Sequence, residues 1–265
     1  MPHLAELYLY PLKSAAPLSR DSASVEPRGL AHDRRWMVVD ANGSFLTARK
    51  HPRLTLIRAQ TDGDWLTLEA PGMPGLQLKP ADELRRDDVV VWNSTVQPVY
   101  ADANANAWVS RFLGMPAQFV FMDSACVRAV DPDYSTAGDE VSFADGFPVL
   151  LISQAALDQL NAKLPTAIPM ARFRPNLVIA DTQPHAEDDW KRIRIAGIEF
   201  DIVKTCMRCT IPGIDIERGE FDPHGEPMRT LRTYRRTDKG VSFGQNLIAR
   251  GAGTLRVGDA VEVLG

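Results

Sequence analysis

The chain has 265 residues, 45% hydrophobic and 24% charged, a balance that supports a sizeable core in one large or two modest domains. Its 30 basic and 34 acidic side chains leave a net charge of −4, which argues against a generic nucleic-acid binder. No apolar run nears the roughly 18 residues of a membrane span, no signal-peptide pattern is visible, and three cysteines form no disulfide framework. A cytoplasmic protein with no membrane or nucleic-acid partner is therefore expected.

In chain order, Leu4 to Tyr10 reads as an apolar and aromatic strand. Three hairpin signals follow. Trp36–Asp40 and Ser44–Thr47 flank Asn42-Gly43; Leu54–Ala59 and Trp65–Glu69 flank Asp62-Gly63; Val89–Trp92 and Val96–Tyr100 flank Asn93-Ser94. A helix is expected over Asn106–Leu113, stopped by Gly114 and Pro116. Ser153 suits the N-cap of a second helix, Gln154–Leu164, whose Ala156, Leu157, Leu160 and Leu164 share a face. Strands return at Ile193–Ile195 and Ile198–Val203 around Ala196-Gly197, and at Leu255–Val257 and Ala260–Leu264 around Gly258-Asp259. Between them, Gly213–Arg232 reads as a long polar loop, a type of segment that is often functional. The pattern is mainly β with few helices, and the best division falls near Met115–Asp123, giving units of 1–120 and 121–265.

Cys206-Met207-Arg208-Cys209 is the sharpest chemical signal. A pair at this spacing can ligate zinc, form a redox disulfide, give one thiolate to a metal, or serve as half-buried structural thiols. Zinc lacks a second cysteine pair here, and Pro212-Gly213 does not begin a convincing helix for a thioredoxin-like site. Lys204 and Arg208 are neighbouring cations that favour a thiolate. Basic residues also recur beside turns: Lys13-Ser14, Arg34-Arg35, Arg49-Lys50 and Arg174. Singly these read as solvated charges; together, in an acidic chain, they can converge on an anion.

Tyr10-Pro11-Leu12-Lys13-Ser14, then Asp33-Arg34-Arg35-Trp36-Met37-Val38, then Leu46-Thr47-Ala48-Arg49, resemble the N-terminal β-barrel domain that precedes MOSC domains. Phe147–Ser153, Arg172–Asn176, Cys206–Cys209, Phe243-Gly244-Gln245-Asn246 and Val257-Gly258-Asp259 resemble the MOSC domain itself, in the right order. The pattern resembles that of the mitochondrial amidoxime-reducing components and bacterial YcbX-type proteins. The resemblance implies an N-terminal β-barrel-like domain packed on a C-terminal MOSC β-barrel, with a molybdenum–pterin cofactor between them. It makes Cys209 the metal ligand and catalytic residue, and Cys206 a neighbour that does not ligate. Lys13, Ser14 and Arg34 match positions that hold the cofactor's phosphate and pterin, and Arg174 and Asn176 match positions that approach the pterin. Arg49, Ser153 and Arg208 lie in the matching strings and join the cofactor-binding set. Where many relatives carry Thr-Thr after the metal cysteine, this chain has Pro212-Gly213. The implied activity is reduction of N-hydroxylated small molecules. With no further cysteine set for a ferredoxin domain, electrons are expected from a separate iron–sulfur, flavin or cytochrome protein. The alternatives are a sulfur or cofactor carrier using a cysteine persulfide, and a cofactor-binding module without turnover. The wider superfamily also carries an association with pyridoxal phosphate.

Overall fold

The computed structural model describes residues 1–63, 65–80 and 85–265. Strands dominate, with three α-helices among the described residues. The main sheet has nine strands. Its path runs Leu18–Ser19, His3–Leu9, Leu177–Ala180, Val149–Ser153, Gly240–Ala249, Ile198–Met207, Arg192–Ile195 and Val261–Val263, with Arg236–Thr237 pairing onto Gly240–Ala249. A single bridge between His3 and Ala260, with the Leu4 and Val261 amides donating to the Asp259 and Pro2 carbonyls, brings the first strand against the start of the last one without a full strand pairing. Val149–Ser153 and Leu177–Ala180 run parallel; their neighbours are antiparallel.

The first strand is therefore a member of the sheet built by the second half of the chain. Its Leu4 and Leu7, both fully buried, share a core with Leu151, Leu177, Ile179, Ile193, Phe200 and Leu247. Ser22–Glu26 likewise pairs with Gly253–Arg256, so the two ends of the chain are interlaced. Most of the buried residues between Trp36 and Phe121 pack in separate clusters, one of them joined by Leu12 and Ala15 and another by Met122, Cys126 and Phe143. Trp36–Asp40, Ala117–Phe121 and Val99–Tyr100 form one sheet, and Arg58–Asp62, Trp65–Glu69 and Leu76–Leu78 another. Against them packs the helix Ala103–Leu113, burying Ala105, Trp108, Val109 and Phe112. Asp102 caps its start, accepting from the Ala105 amide, and Gly114 ends it in the left-handed conformation.

Several elements differ from the sequence reading. Pro52–Leu56 is a 3-10 turn, with Pro52 at its first position and Thr55 Oγ1 donating to the Pro52 carbonyl, so the strand begins only at Arg58. The Val89–Val91 and Ser94–Val96 strands turn at Trp92-Asn93, one residue early. Trp36–Asp40 takes Ala117–Phe121 as its full partner and keeps only a single bridge to Phe45. The strands around Gly258-Asp259 do not pair with each other: one joins Ser22–Glu26 and the other Arg192–Ile195. The expected loop at 213–232 holds a short hairpin, Ile214–Asp215 with Glu220–Phe221, and the start of a helix, Met228–Tyr234. Met228 and Leu231 anchor that helix in a core with Phe173 and Phe243.

Candidate cofactor site

A cavity of about 300 Å³ lies where the Lys13–Arg49 region meets the main sheet. One wall is the end of the Ile198–Met207 strand. In a regular strand, alternate side chains face opposite ways. Here the register shifts twice, between Ile202 and Lys204 and between Thr205 and Met207. Each bulge re-aims the chain, and the whole run Lys204 to Cys209 lines the cavity. Cys206 is thus in the strand and Cys209 just beyond it. The sequence pattern places the end of this strand at Val203, and the structure carries it on to Met207.

The opposite wall is cationic. Ser14, Arg34 and Arg174 all adopt left-handed backbone, with φ of 70°, 49° and 59°. Non-glycine residues seldom do so, and such strain gathers at functional sites. The buried Tyr10 ring organises two of them, with Arg34 and Arg174 at 4.4 and 4.2 Å from its centroid. Arg34 also pairs with Asp33 and donates to Asn176 Oδ1 at 3.0 Å and the Arg174 carbonyl at 3.2 Å. Asn176 accepts from the Leu150 amide as well and donates to the Tyr8 carbonyl, so its amide ties the elements that position Arg34. Ser14 Oγ accepts from the Ala48 amide. Burial, with the Arg34 charge adding to it, depresses the Arg174 guanidinium to about 10.

Lys13 is 5% exposed. Its ammonium donates to the Phe143 carbonyl and to Asp145 Oδ1, both at 2.6 Å. Burial pulls Lys13 down to about 8, with Asp145 opposing. Burial resists the Asp145 charge in turn, but Lys13 and Arg49 outweigh it and hold the carboxyl well below the usual range. Arg49 donates to Asp145 Oδ2 at 2.6 Å and stacks on Trp92 at 4.7 Å. Burial disfavours its charge, yet Asp145 and the Cys209 thiol beside it raise it above the ordinary value. Trp92, at φ 55°, reaches Asp145 through Nε1 at 3.3 Å.

The two cysteines differ. Cys206 Sγ accepts from Arg208 Nη1 at 3.1 Å, while Arg208 Nη2 donates to the Phe173 carbonyl at 2.6 Å. Cys209 faces Arg49. Neither forms a disulfide. Among the described residues, no group of three or more His, Cys, Asp or Glu side chains is arranged to hold a metal. A closed zinc site is therefore not assembled.

Lys13, Ser14, Arg34, Arg49, Arg174, Asn176, Arg208 and Cys209 all meet at the cavity. Ser153 does not. It is fully buried, caps the Gln154–Asn161 helix by accepting from the Ala156 amide, and donates its own amide to Glu187 Oε1. Sequence reading missed Asp145, the hub for Lys13, Arg49 and Trp92. Its one local signal is its place two residues before Phe147-Pro148.

The MOSC N-terminal beta barrel domain matches residues 1–116 and the MOSC domain residues 138–262. Mitochondrial amidoxime-reducing component 1 of Mus musculus is 33% identical over 282 residues, covering 99% of this chain and 82% of that protein. This chain belongs to the MOSC family. Two further relatives of this MOSC chain are informative. The Homo sapiens mitochondrial amidoxime-reducing component 1 is 31% identical over 99% of this chain and 83% of its own length. The molybdenum cofactor sulfurase of Oryza sativa subsp. japonica is 30% identical over 91% of this chain but 32% of its own length.

Proposed function

We propose that this MOSC chain is an oxidoreductase that uses a molybdenum–pterin cofactor to reduce N-hydroxylated compounds, with electrons from a separate protein. The observation that carries the reading is a cavity lined by six cationic side chains, one carboxylate and the Cys209 thiol. That donor set suits an anionic, thiolate-bound group. Arg174 Nη2 and Arg208 Nε, on two of its lining residues, are buried without a hydrogen-bond partner. A thiolate is a soft metal ligand, and guanidinium forks match phosphate. Relatives named for amidoxime reduction, which match nearly the whole of this chain, support the substrate class.

When bound, the cofactor supplies a two-electron couple. This chain's residues do the rest. Lys13, Ser14, Arg34 and Arg174 hold the phosphate and pterin, and Cys209 gives the metal its thiolate. Asp145 fixes Lys13 and Arg49 in place, and Arg49 stands over the Cys209 sulfur. Cys206, occupied by Arg208, stays a packing thiol. Overall, an N–OH group takes two electrons and two protons to give N–H and water. The electrons come from an iron–sulfur, flavin or cytochrome partner.

The likeness to a molybdenum cofactor sulfurase favours a second reading, a carrier of sulfur on a cysteine. One experiment separates the two. Molybdenum content and amidoxime reduction, with an artificial donor, are measured for the wild type, Cys209→Ser and Cys206→Ser. The reductase reading expects Cys209→Ser to lose activity even where pterin is retained, and Cys206→Ser to keep most of it. Equal loss in both variants refutes the one-ligand assignment. A wild type fully loaded with molybdenum that reduces no N-hydroxylated compound refutes the reductase. A labile persulfide on molybdenum-free protein supports the carrier.

A further inference from the structure

Six cations line the cavity, and five of them spend hydrogen bonds on the protein. Lys13 binds Asp145 and the Phe143 carbonyl, Arg34 binds Asp33 and Asn176, and Arg49 binds Asp145. Arg174 donates to the Ala15 carbonyl, and Arg208 to Cys206 and the Phe173 carbonyl. Lys204 is the exception. Among the described residues its ammonium has no hydrogen-bond acceptor and no carboxylate within ion-pair distance. Its neighbours are aromatic: the Tyr134 ring at 3.9 Å and the Phe147 ring at 5.7 Å, themselves packed edge to face. Such rings stabilise a cation while leaving its N–H donors free.

Lys204 also stands apart from the cationic cage. Its strand is three places along the sheet from Leu177–Ala180, the strand that follows Arg174. At the usual strand spacing that is about 14 Å. Both bulges of the Ile198–Met207 strand flank the Lys204-Thr205 step and aim this end of the strand at the cavity with Cys206 and Cys209.

We propose that Lys204, with Phe147 beside it, is the specificity-determining end of the cavity, and that it selects planar N-hydroxylated substrates bearing an anionic group such as a carboxylate. The free ammonium pairs with the anion, and the Phe147 face takes the planar part. This rests on the reductase reading and adds the substrate's charge to it. Lys204 contributes to binding and not to the N–O cleavage itself.

The test uses molybdenum-loaded protein and two probes of similar shape, benzamidoxime and 4-carboxybenzamidoxime. The wild type is expected to favour the carboxylate compound. Lys204→Gln should raise KM for that compound about tenfold, the worth of one charge-assisted hydrogen bond, with kcat and the neutral compound little changed. Lys204→Arg should restore the preference. Molybdenum and pterin content should be unaltered in both variants. Equal effects on the two probes, or no preference in the wild type, overturn the proposal and leave the reductase standing. Loss of cofactor from Lys204→Gln also overturns it, by assigning Lys204 to the cofactor. A loaded wild type that reduces neither probe sinks the reductase reading, and this inference with it.

Discussion

Lys13 shows how a single buried charge couples the site to pH. Its ordinary value of 10.5 is lowered to about 8, chiefly by burial. Between those values the unfolded chain holds a proton that the folded chain has released. Folding stability from this group therefore rises with pH across about 8 to 10.5, and the cost of burying the ammonium is complete below 8. Anion binding runs the opposite way, because only the protonated form attracts a phosphate. Cofactor retention should weaken as pH rises through 8 in the wild type and be nearly flat there in Lys13→Met. Cofactor content after dialysis at stepped pH measures this; identical profiles for the two proteins would remove Lys13 from the anion site. The role of Lys13 is legible in sequence only through its motif, whereas its carboxylate partner lies 132 residues away. Nothing local to Asp145 announces that pairing.

Among the elements, Gly244 shows why two central strands can pack as they do. It sits at φ +85°, and a Cβ there would lie 2.6 Å from Ile152 Cγ1 and 2.7 Å from the Leu151 carbonyl. Backbone strain and overpacking together give Gly244→Ala an expected loss of about 2–4 kcal/mol. Gly75→Ala, where nothing lies within 4 Å, should change stability by less than about 0.5 kcal/mol. Urea denaturation of the pair checks both. The same scale divides what sequence disclosed from what it hid. The Ala196-Gly197 hairpin and the Asp102–Gly114 helix carry their own turn and cap chemistry, and the hairpin and the helix's Gly114 stop read correctly. The helix start did not: it begins at Ala103, before the expected Asn106. Gly258-Asp259 has equally good turn residues, yet the strands beside it join distant partners, since turn chemistry does not specify pairing. Helix Met228–Tyr234 was hidden because only Met228 and Leu231 are buried, too few to give a periodic signal. The clearest failure at the site was the double bulge, which turns both faces of a strand toward one cavity.

For the whole molecule, the decisive fact is that the second half cannot complete its sheet alone. A fragment of residues 121–265 would expose the edge of Leu177–Ala180 that His3–Leu9 covers, and the edge of Gly253–Arg256 that Ser22–Glu26 covers. It would also lose Leu4, Leu7, Leu9, Val25 and Leu30 from its core. Unpaired edges and a hollowed core favour aggregation. That fragment should show no cooperative unfolding transition by circular dichroism, and fusing residues 1–30 to it through a flexible linker should restore one. A wild-type-like transition in the bare fragment would contradict the interlaced fold. The interlacing also sets a clock. His3 pairs with Ala180, and Ser22 with Arg256. At a synthesis rate of roughly 5–20 residues per second, the first strand waits on the order of ten to thirty seconds for its partner to leave the ribosome. The cationic wall at Lys13 and Arg34 is made early and the cysteine wall much later, so the two meet only after Cys209 has left the ribosome. Loading of any group held between them therefore waits for the cysteine wall, and nascent chains stalled before Cys209 should carry none.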